Sequence, residues 1–390
     1  MRSLREKLIA VSSKAASVST SSRFKHADAY YVREHRVSLD QLSGIEKTTL
    51  DEICACDPGF SGKHWDVRKL LFLDTETTGL SGGAGTIAFE IGIGYLEEDY
   101  LVIKQYVMRD YSEEAAMLSD IAGFFDRFDT LVTFNGKTFD IPLLESRMIM
   151  QRIKQPISSL PHFDLLHACR RVYKLRLKRC SLAALEEAVL GEKRSDDLPG
   201  AMVPQRYFDY LKTHEFVLLE DVLRHNLQDV QSLAALTGHL CSVFRNPEML
   251  DHPEDLFSVG KTFERGGNVC RARKCYRILG HSTISSRAHM HLALSYKKEK
   301  EWEEALLSWN TMISRGEGGS WPYIEAAKYY EHVQREYTKA LDYARSGLAY
   351  EVNHLLLSAN DEQIEALQKR IKRLTKKQRM QLYQSTMEDE

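Results

Sequence analysis

Residues 70–150 contain apolar strands and helices in an order that few folds accommodate. Strands are predicted at 70–73, 86–96, 101–108 and 131–134, and helices at 111–128 and 141–150. Short turns join the first three strands, so these can form an antiparallel meander. The fourth strand follows a helical crossover, which permits parallel pairing beside the first. This order predicts an α/β domain built on a mixed sheet flanked by helices.

The sequence on either side of this segment is less regular. Short strands are predicted at 32–37 and 64–67. Residues 164–245 are expected to be mostly helical, with a loop at 196–204 that glycine and proline mark. These flanks would complete the domain around the predicted sheet.

Changes in composition divide the chain of 390 residues into five expected regions. They are a basic, serine-rich tail at 1–25, an N-terminal extension at 26–68, the α/β domain at 69–247, helical repeats at 254–350, and a charged helix with a tail at 360–390. The composition of the first region suits an organelle transit peptide, although a frayed terminus is the simpler interpretation.

The overall composition argues against a membrane partner, and it shows that the chain is not basic as a whole. Hydrophobic residues make up 43% and charged residues 28%, and the formal net charge is −2. A surface for nucleic acid would therefore have to be local, because charge distribution matters more than the total. No apolar run approaches the roughly 20 residues that a membrane span needs.

Seven cysteines are scattered along the chain. Cys54 and Cys56 are close in sequence, as are Cys270 and Cys275, but neither pair has the spacing of a zinc site. No secretory signal is visible. We therefore expect reduced thiols in a cytoplasmic protein.

Small and aromatic residues recur with a period near 34 in the last third of the chain. The positions are Ala272, Ala305 and Ala340, each followed four residues later by Tyr276, Trp309 or Ala344, with Gly260 and Ala293 standing 12 residues before the first two. This period is typical of helix-turn-helix tetratricopeptide repeats. Three such units, followed by a charged helix at 363–382, would offer a surface to a protein partner.

The charged helix contains seven basic residues between Lys369 and Arg379, with no acidic residue among them. Such a run is usually a solvated helix face. Contact with phosphates is the alternative.

Asp74 and Glu76 lie at the end of the first predicted strand, two residues apart. On an extended segment both side chains point to one face. Carboxylates this close repel each other unless a cation lies between them. Magnesium prefers carboxylate oxygens and needs few protein ligands. The pair therefore indicates a metal site, although two solvated acids at a strand end would be the simpler alternative.

Three further residues extend this set. Asp140 follows the fourth strand and the loop that contains Asn135, so it could bind metal or merely cap a helix. His225 and Asp229 are four apart on a predicted helix and share a face. Asp229 could bind metal while His225 accepts a proton, since histidine titrates near neutrality. An ordinary helical His–Asp pair remains the alternative.

Four glycines follow the first motif, at Gly79, Gly82, Gly83 and Gly85. Glycine permits close approach of the backbone to a ligand, here a nucleotide, but a loose hairpin connection would explain the same composition.

At these residues the chain resembles the DEDD superfamily of 3′–5′ exonucleases, whose core is ribonuclease-H-like, and it is most similar to the bacterial YprB-like proteins with tetratricopeptide repeats. The resemblance covers about 70–245. It implies that Asp74, Glu76, Asp140 and Asp229 bind two Mg²⁺ or Mn²⁺ ions, and that His225 is the general base. Three residues separate His225 from Asp229, which is the spacing of the superfamily's tyrosine form. Asp164 resembles a recurrent aspartate of the group or is a helix cap.

The resemblance predicts a hydrolase that cleaves phosphodiester bonds, with DNA or RNA as its partner. A two-metal mechanism would act on the 3′ end of a single strand. Thr77, Asn135 and Phe139 would bind the terminal nucleotide, with Phe139 stacking on the base. The alternatives are a structure-specific endonuclease, and a nucleic-acid-binding or scaffold protein whose repeats recruit a protein partner.

Overall fold

The computed structural model describes residues 29–42, 44–79, 85–195, 197–354 and 361–388. The chain divides into two compact units, one ending at Pro247 and the other beginning at Glu248. The predicted basic tail and most of the glycine-rich loop lie outside the described residues.

The first unit is built on a sheet of six strands. These are β1 (Tyr31–Ser38), β2 (Leu70–Thr77), β3 (Ala88–Glu97), β4 (Tyr100–Val107), β5 (Thr130–Thr133) and β6 (His162–Asp164). Their order across the sheet is β1-β4-β3-β2-β5-β6. The antiparallel meander of β2, β3 and β4 and the parallel pairing of β5 with β2 confirm the predicted topology. The mixed sheet with flanking helices fits a ribonuclease-H-like fold.

Seven α-helices accompany the sheet in the described part of this unit. They are α1 (Leu50–Cys56), α2 (Glu114–Phe125), α3 (Asp140–Met150), α4 (Leu165–Tyr173), α5 (Leu182–Leu185), α6 (Val203–Thr213) and α7 (Glu220–Arg245). Helix α7 packs across β2, β3 and β4. Two glycines of β3 permit this contact, because a Cβ atom at Gly92 or Gly94 would collide with Asn226 or Val230 of the helix.

Two predictions about this unit were wrong in detail, and one strand was not predicted. Residues 64–66 are not in a strand, and a 3₁₀ turn begins at Val67, where Asp66 accepts a hydrogen bond from the Arg68 amide. The region expected to be mostly helical at 164–245 contains α4 to α7 and is confirmed. The strand that precedes it, β6, was not predicted, because its three residues are too few to show periodicity. The predicted loop at 196–204 ends early, since α6 begins at Val203 with proline in its first turn.

The second unit is helical throughout its described residues. Its helices are α8 (Pro253–Arg265), α9 (Val269–Ile278), α10 (Ser285–Lys298), α11 (Trp302–Ser314), α12 (Trp321–Tyr329), α13 (Tyr337–Asn353) and α14 (Asp361–Glu388). Consecutive helices from α8 to α14 contact one another. The repeated positions are buried, namely Ala272, Ala305, Ala340, Tyr276, Trp309, Ala344, Gly260 and Ala293. None of the helices that the structure describes, in either unit, combines the length and the apolar composition needed to cross a membrane.

Part of the basic run on α14 is not a solvated face. Three of its side chains are engaged in ion pairs and are not free to contact phosphate. Arg370, Arg373 and Lys377 bind the carboxylate of Glu331 at 2.8, 2.8 and 2.9 Å. The Glu331 side chain has no exposed surface. These ion pairs hold α14 against the preceding helices.

Candidate active site

Strand β2 carries the first two acidic residues. It extends to Thr77, so Asp74 and Glu76 lie within the strand and, by alternation, on one face. Thr75 lies between them, and its hydroxyl donates a hydrogen bond to Asp140 at 2.5 Å. Asp140 is the first residue of α3 and is buried. The structure therefore ties Asp140 to the same strand through the residue between the two acids.

Asn226 of α7 fixes the position of Asp74. The fully buried Asn226 amide donates to Asp74 Oδ2 at 3.0 Å, and its oxygen accepts from Gln105 Nε2 at 3.3 Å. A Cβ atom at Gly92 would lie 2.1 Å from Asn226 Oδ1. Glycine at 92 is therefore required for the helix to hold this carboxylate.

Glu76, His225 and Asp229 form a cluster. One ligand atom from each lies within 4.8 Å of the others. His225 Nε2 is 3.7 Å from Glu76 Oε1 and 3.6 Å from Asp229 Oδ2. The carboxylate oxygens of Glu76 and Asp229 could bind a divalent cation, with His225 Nε2 beside it.

Two residues that the sequence did not point to complete the cluster. Arg194 pairs with Asp229 and binds the buried carboxylate of Glu186 at 2.5 and 2.7 Å. Asp197 Oδ1 lies 2.6 Å from His225 Nδ1, while Arg194 Nη1 lies farther from that nitrogen, at 3.2 Å. The shorter contact indicates that His225 donates its Nδ1 proton to Asp197. Nε2 is then left as an acceptor that faces Glu76 and Asp229.

The loop after β5 is held by Asp164, which is buried at the start of α4. Its carboxylate accepts hydrogen bonds from the amides of Asn135, Lys137 and Leu166 at 2.8, 3.1 and 3.1 Å. Asn135 has a left-handed backbone with φ of 70°, and its side chain accepts from the Thr138 hydroxyl. Asp164 thus caps the helix and shapes the loop that presents Asn135.

The other two residues that were predicted to bind the substrate lie at the end of β2 and just before α3. The Thr77 hydroxyl donates to the carbonyl of Gly79 at 2.7 Å, so it holds the strand end. Phe139 precedes α3 and is half-buried, and it does not line the cavity described below.

The carboxylates share an unfavourable electrostatic environment. Burial raises the pKa of Asp74 and of Glu76 well above the ordinary values, and the neighbouring acids raise both further. Burial also raises the pKa of Asp140 to about 6, although the Thr75 hydrogen bond opposes this. The pKa of Asp229 is raised by burial, against the effects of His225 and Arg194. A bound cation would relieve this penalty.

A fifth carboxylate, missed in the sequence, lies beside Glu76. Glu90 of β3 pairs in register with Glu76 and accepts a hydrogen bond from Gln105 at 2.8 Å. Burial raises the pKa of Glu90 to about 8, so it is mostly protonated at neutral pH. Strand β3 has nine buried positions. A glutamate among apolar residues was the signal in the sequence that could have identified Glu90.

A cavity of about 630 Å³ opens beside these acids. Asp74, Asn135 and Asp229 line it, which brings together residues from three predicted motifs that are up to 155 positions apart. Glu76 and His225 adjoin it through Asp229. The arrangement can bind a cation at one end and a substrate in the cavity.

Comparisons with known proteins agree with the ribonuclease-H-like fold of the first unit. Residues 71–241 match the RNase_H_2 family model of the RNase_H superfamily. The uncharacterized protein YprB of Bacillus subtilis (strain 168) is 34% identical over 355 residues, which cover 89% of this chain and 84% of YprB. The chain belongs to the YprB family. Its RNase_H-superfamily domain supports a nuclease that hydrolyses nucleic acid.

A solved structure also shows a weak likeness to this YprB-family chain. The family B DNA polymerase from the hyperthermophilic archaeon Pyrobaculum calidifontis matches at 15% identity and a TM-score of 0.36. The match covers 53% of this chain and 30% of the polymerase. A TM-score of this size carries no argument about the YprB-family site.

Proposed function

We propose that this protein is a divalent-metal-dependent exonuclease that removes nucleotides from the 3′ end of single-stranded DNA or RNA. The observation that carries the proposal is the cluster of Glu76, His225 and Asp229 beside a cavity that Asp74 and Asn135 line. A nucleic-acid substrate follows from the RNase_H-superfamily domain.

The four acidic residues of the site suit Mg²⁺ or Mn²⁺. The oxygen donors Asp74, Glu76, Asp140 and Asp229 are the ligand type that these hard cations prefer. Burial raises the pKa of each of these carboxyls, and the neighbouring acids raise the pKa of Asp74 and Glu76 further, so a bound cation would stabilise the charged forms. Two bound ions would supply an activated water and stabilise the leaving 3′ oxygen.

The protein's own side chains would orient this chemistry. His225 holds its Nδ1 proton on Asp197, so Nε2 can accept a proton from the attacking water. Asn135 projects from the loop that Asp164 holds, where it can bind the terminal nucleotide. Thr77 and Phe139 are assigned to the same nucleotide by resemblance alone.

The helical second unit supports a further part of the proposal. Its helices pack in sequence, and the small and aromatic positions of the 34-residue period are buried. We assign them to tetratricopeptide-like repeats that recruit a protein partner. We assign the protein to the cytoplasm, since none of its seven cysteines, all of which the structure describes, is part of a disulfide.

A cleavage assay on linear and circular single strands tests the proposal. With Mg²⁺ or Mn²⁺, a 5′-labelled linear DNA or RNA should yield a ladder that shortens from its 3′ end, and EDTA should stop it. A circular strand of the same sequence should remain intact. Cleavage of the circle would favour the endonuclease alternative. Binding without cleavage of any strand or hairpin would favour the scaffold alternative.

A further inference from the structure

The cavity beside the candidate site has walls of opposite charge. Asp74 and Asp229 line one part of it, and four basic residues line another. We call these four the basic wall: Arg170, Lys174, Lys178 and Arg179. No acidic residue other than Asp74 and Asp229 lines the cavity within the described part of the chain.

The basic wall comes from one short stretch of chain. Arg170 lies in α4, Lys174 follows the helix by one residue, and Lys178 and Arg179 lie in the connection to α5. Arg170 and Lys174 are four residues apart, so both can project from the same side of the helix end. All four side chains are exposed.

The charges of the basic wall are not used elsewhere in the described structure. Two other arginines of the same stretch are engaged, since Arg171 pairs with Asp57 at 2.9 Å and Arg176 lies over the Tyr173 ring. By contrast, no ion pair joins any of the four basic-wall side chains to the residues that the structure describes. Free positive charge is therefore concentrated at the cavity, on a chain whose net charge is −2.

Two acids at one end of a cavity repel phosphate, so a polyanion needs compensating charge nearby. The basic wall supplies it, and Phe134, Leu166 and Leu182 add apolar surface in the same cavity. A single strand of nucleic acid fits this lining, because its phosphates can pair with the cations and its bases can pack against the apolar side chains. A volume of about 630 Å³ suits a nucleotide-sized ligand rather than a duplex.

We infer that the basic wall binds the backbone phosphates of a single strand and delivers its end to the carboxylates. This inference rests on the proposed function, because it supplies that function with a path for the substrate. The strand would lie along the basic wall with its end at Asp74 and Asp229, which line the same cavity.

The salt dependence of binding tests the basic wall without requiring cleavage. Fluorescence anisotropy with a labelled single strand, in EDTA, gives the association constant at several NaCl concentrations. Each cation that pairs with a phosphate adds about 0.7 to the magnitude of the slope of log K against log salt. Changing all four residues to glutamine should lower that magnitude by about 3, and each single change by about 0.7.

Matched controls keep the test specific. Lys63 and Lys154 are exposed lysines that do not line the cavity. Lys63→Gln and Lys154→Gln should leave the slope unchanged. A quadruple variant that binds with the wild-type slope would overturn the inference, as would wild-type binding of inorganic phosphate as tight as that of the strand. If the quadruple variant fails to fold, the four single variants decide in the same way.

A small phosphodiester separates this inference from the proposed function. The p-nitrophenyl ester of thymidine 5′-monophosphate has no upstream phosphates, so the quadruple variant should lose a larger factor in kcat/KM on the strand than on this ester, whereas Lys63→Gln should lose activity on neither. If the wild type hydrolyses neither substrate, the proposed function fails. The slopes still decide whether the basic wall binds nucleic acid.

Discussion

His225 Nδ1 lies 2.6 Å from Asp197 Oδ1, and His225 Nε2 faces Glu76 and Asp229. Burial would raise the pKa of Asp197, but His225 and Arg194 together outweigh this effect and the pKa is lowered. Asp197 is therefore an anionic acceptor that orients the imidazole. In this arrangement the nitrogen that faces the acids is the one able to accept a proton.

Asp197→Asn should reduce kcat on a single strand by about 10- to 100-fold, because the amide can no longer fix the imidazole tautomer. His225→Ala should cost more, about 10²- to 10⁴-fold. KM should change little in either variant, since neither side chain lines the cavity. Steady-state kinetics measure both constants, with the exposed Asp129→Asn as the control. An unchanged kcat in Asp197→Asn would remove its positioning role.

Gly92→Ala should destabilise the first unit by about 1–3 kcal/mol and weaken cleavage, because the new Cβ displaces the Asn226 amide that holds Asp74. Gly123 offers a matched control. It is an exposed position of α2 where an added methyl group would meet no described atom within 4 Å, so Gly123→Ala should be neutral or stabilising. Denaturant unfolding and the cleavage rate are the measurements, and equal behaviour of the two variants would contradict this account.

Arg194→Met should destabilise the protein by about 3–5 kcal/mol, because it leaves the fully buried Glu186 carboxylate without its cation. The double variant with Glu186→Gln should recover part of this loss, since the fully buried Glu186 no longer carries an unpaired charge. A double-mutant cycle in urea measures the coupling. If both single variants lose less than about 1 kcal/mol, the ion pair contributes little.

Glu331 provides a pH test in the second unit. Burial would raise its pKa, but hydrogen bonds from Arg373 and Lys377 outweigh this and lower the pKa to about 2, from an ordinary 4.5. A lowered folded-state pKa adds stability that is complete above pH 4.5 and is lost as the pH falls toward 2.

The free energy of unfolding of the wild type should therefore exceed that of Glu331→Gln by about 1–3 kcal/mol at neutral pH. The two should be equal as the pH approaches 2. Thermal unfolding at several pH values measures the difference. The exposed Glu303→Gln is the control. A difference that stays constant across this range would show that Glu331 does not act through its charge.

The sequence allowed the sheet topology to be predicted because the strands β2 to β5 are apolar and their connections are short. Asp74 and Glu76 were visible as a pair because alternation places them on one face. The register that puts Glu90 beside Glu76 was not visible, since it depends on pairing across two strands. The three residues of β6 carry too little periodicity to be recognised.

The remaining parts of the site depend on contacts between distant segments. Arg194 and Asp197 lie 31 and 28 residues before His225, in a connection without regular structure. Nothing local distinguishes these residues from other charged residues of a loop. On α14, Lys377 donates a hydrogen bond to Glu331, which lies 46 residues earlier in the chain. The basic run that was predicted to be a solvated helix face therefore also stabilises the packing of the helices. Tertiary packing alone determines such pairs.

The cleavage rate of Asp74→Asn on a 5′-labelled single strand with saturating Mg²⁺ tests the central claim most directly. Asparagine keeps the shape of the side chain but removes a charge that the cations require, so we predict a fall of about 10²- to 10⁴-fold in a folded protein. Asp129→Asn should cleave at the wild-type rate. Wild-type cleavage by purified, folded Asp74→Asn would show that these carboxylates are not the hydrolytic site.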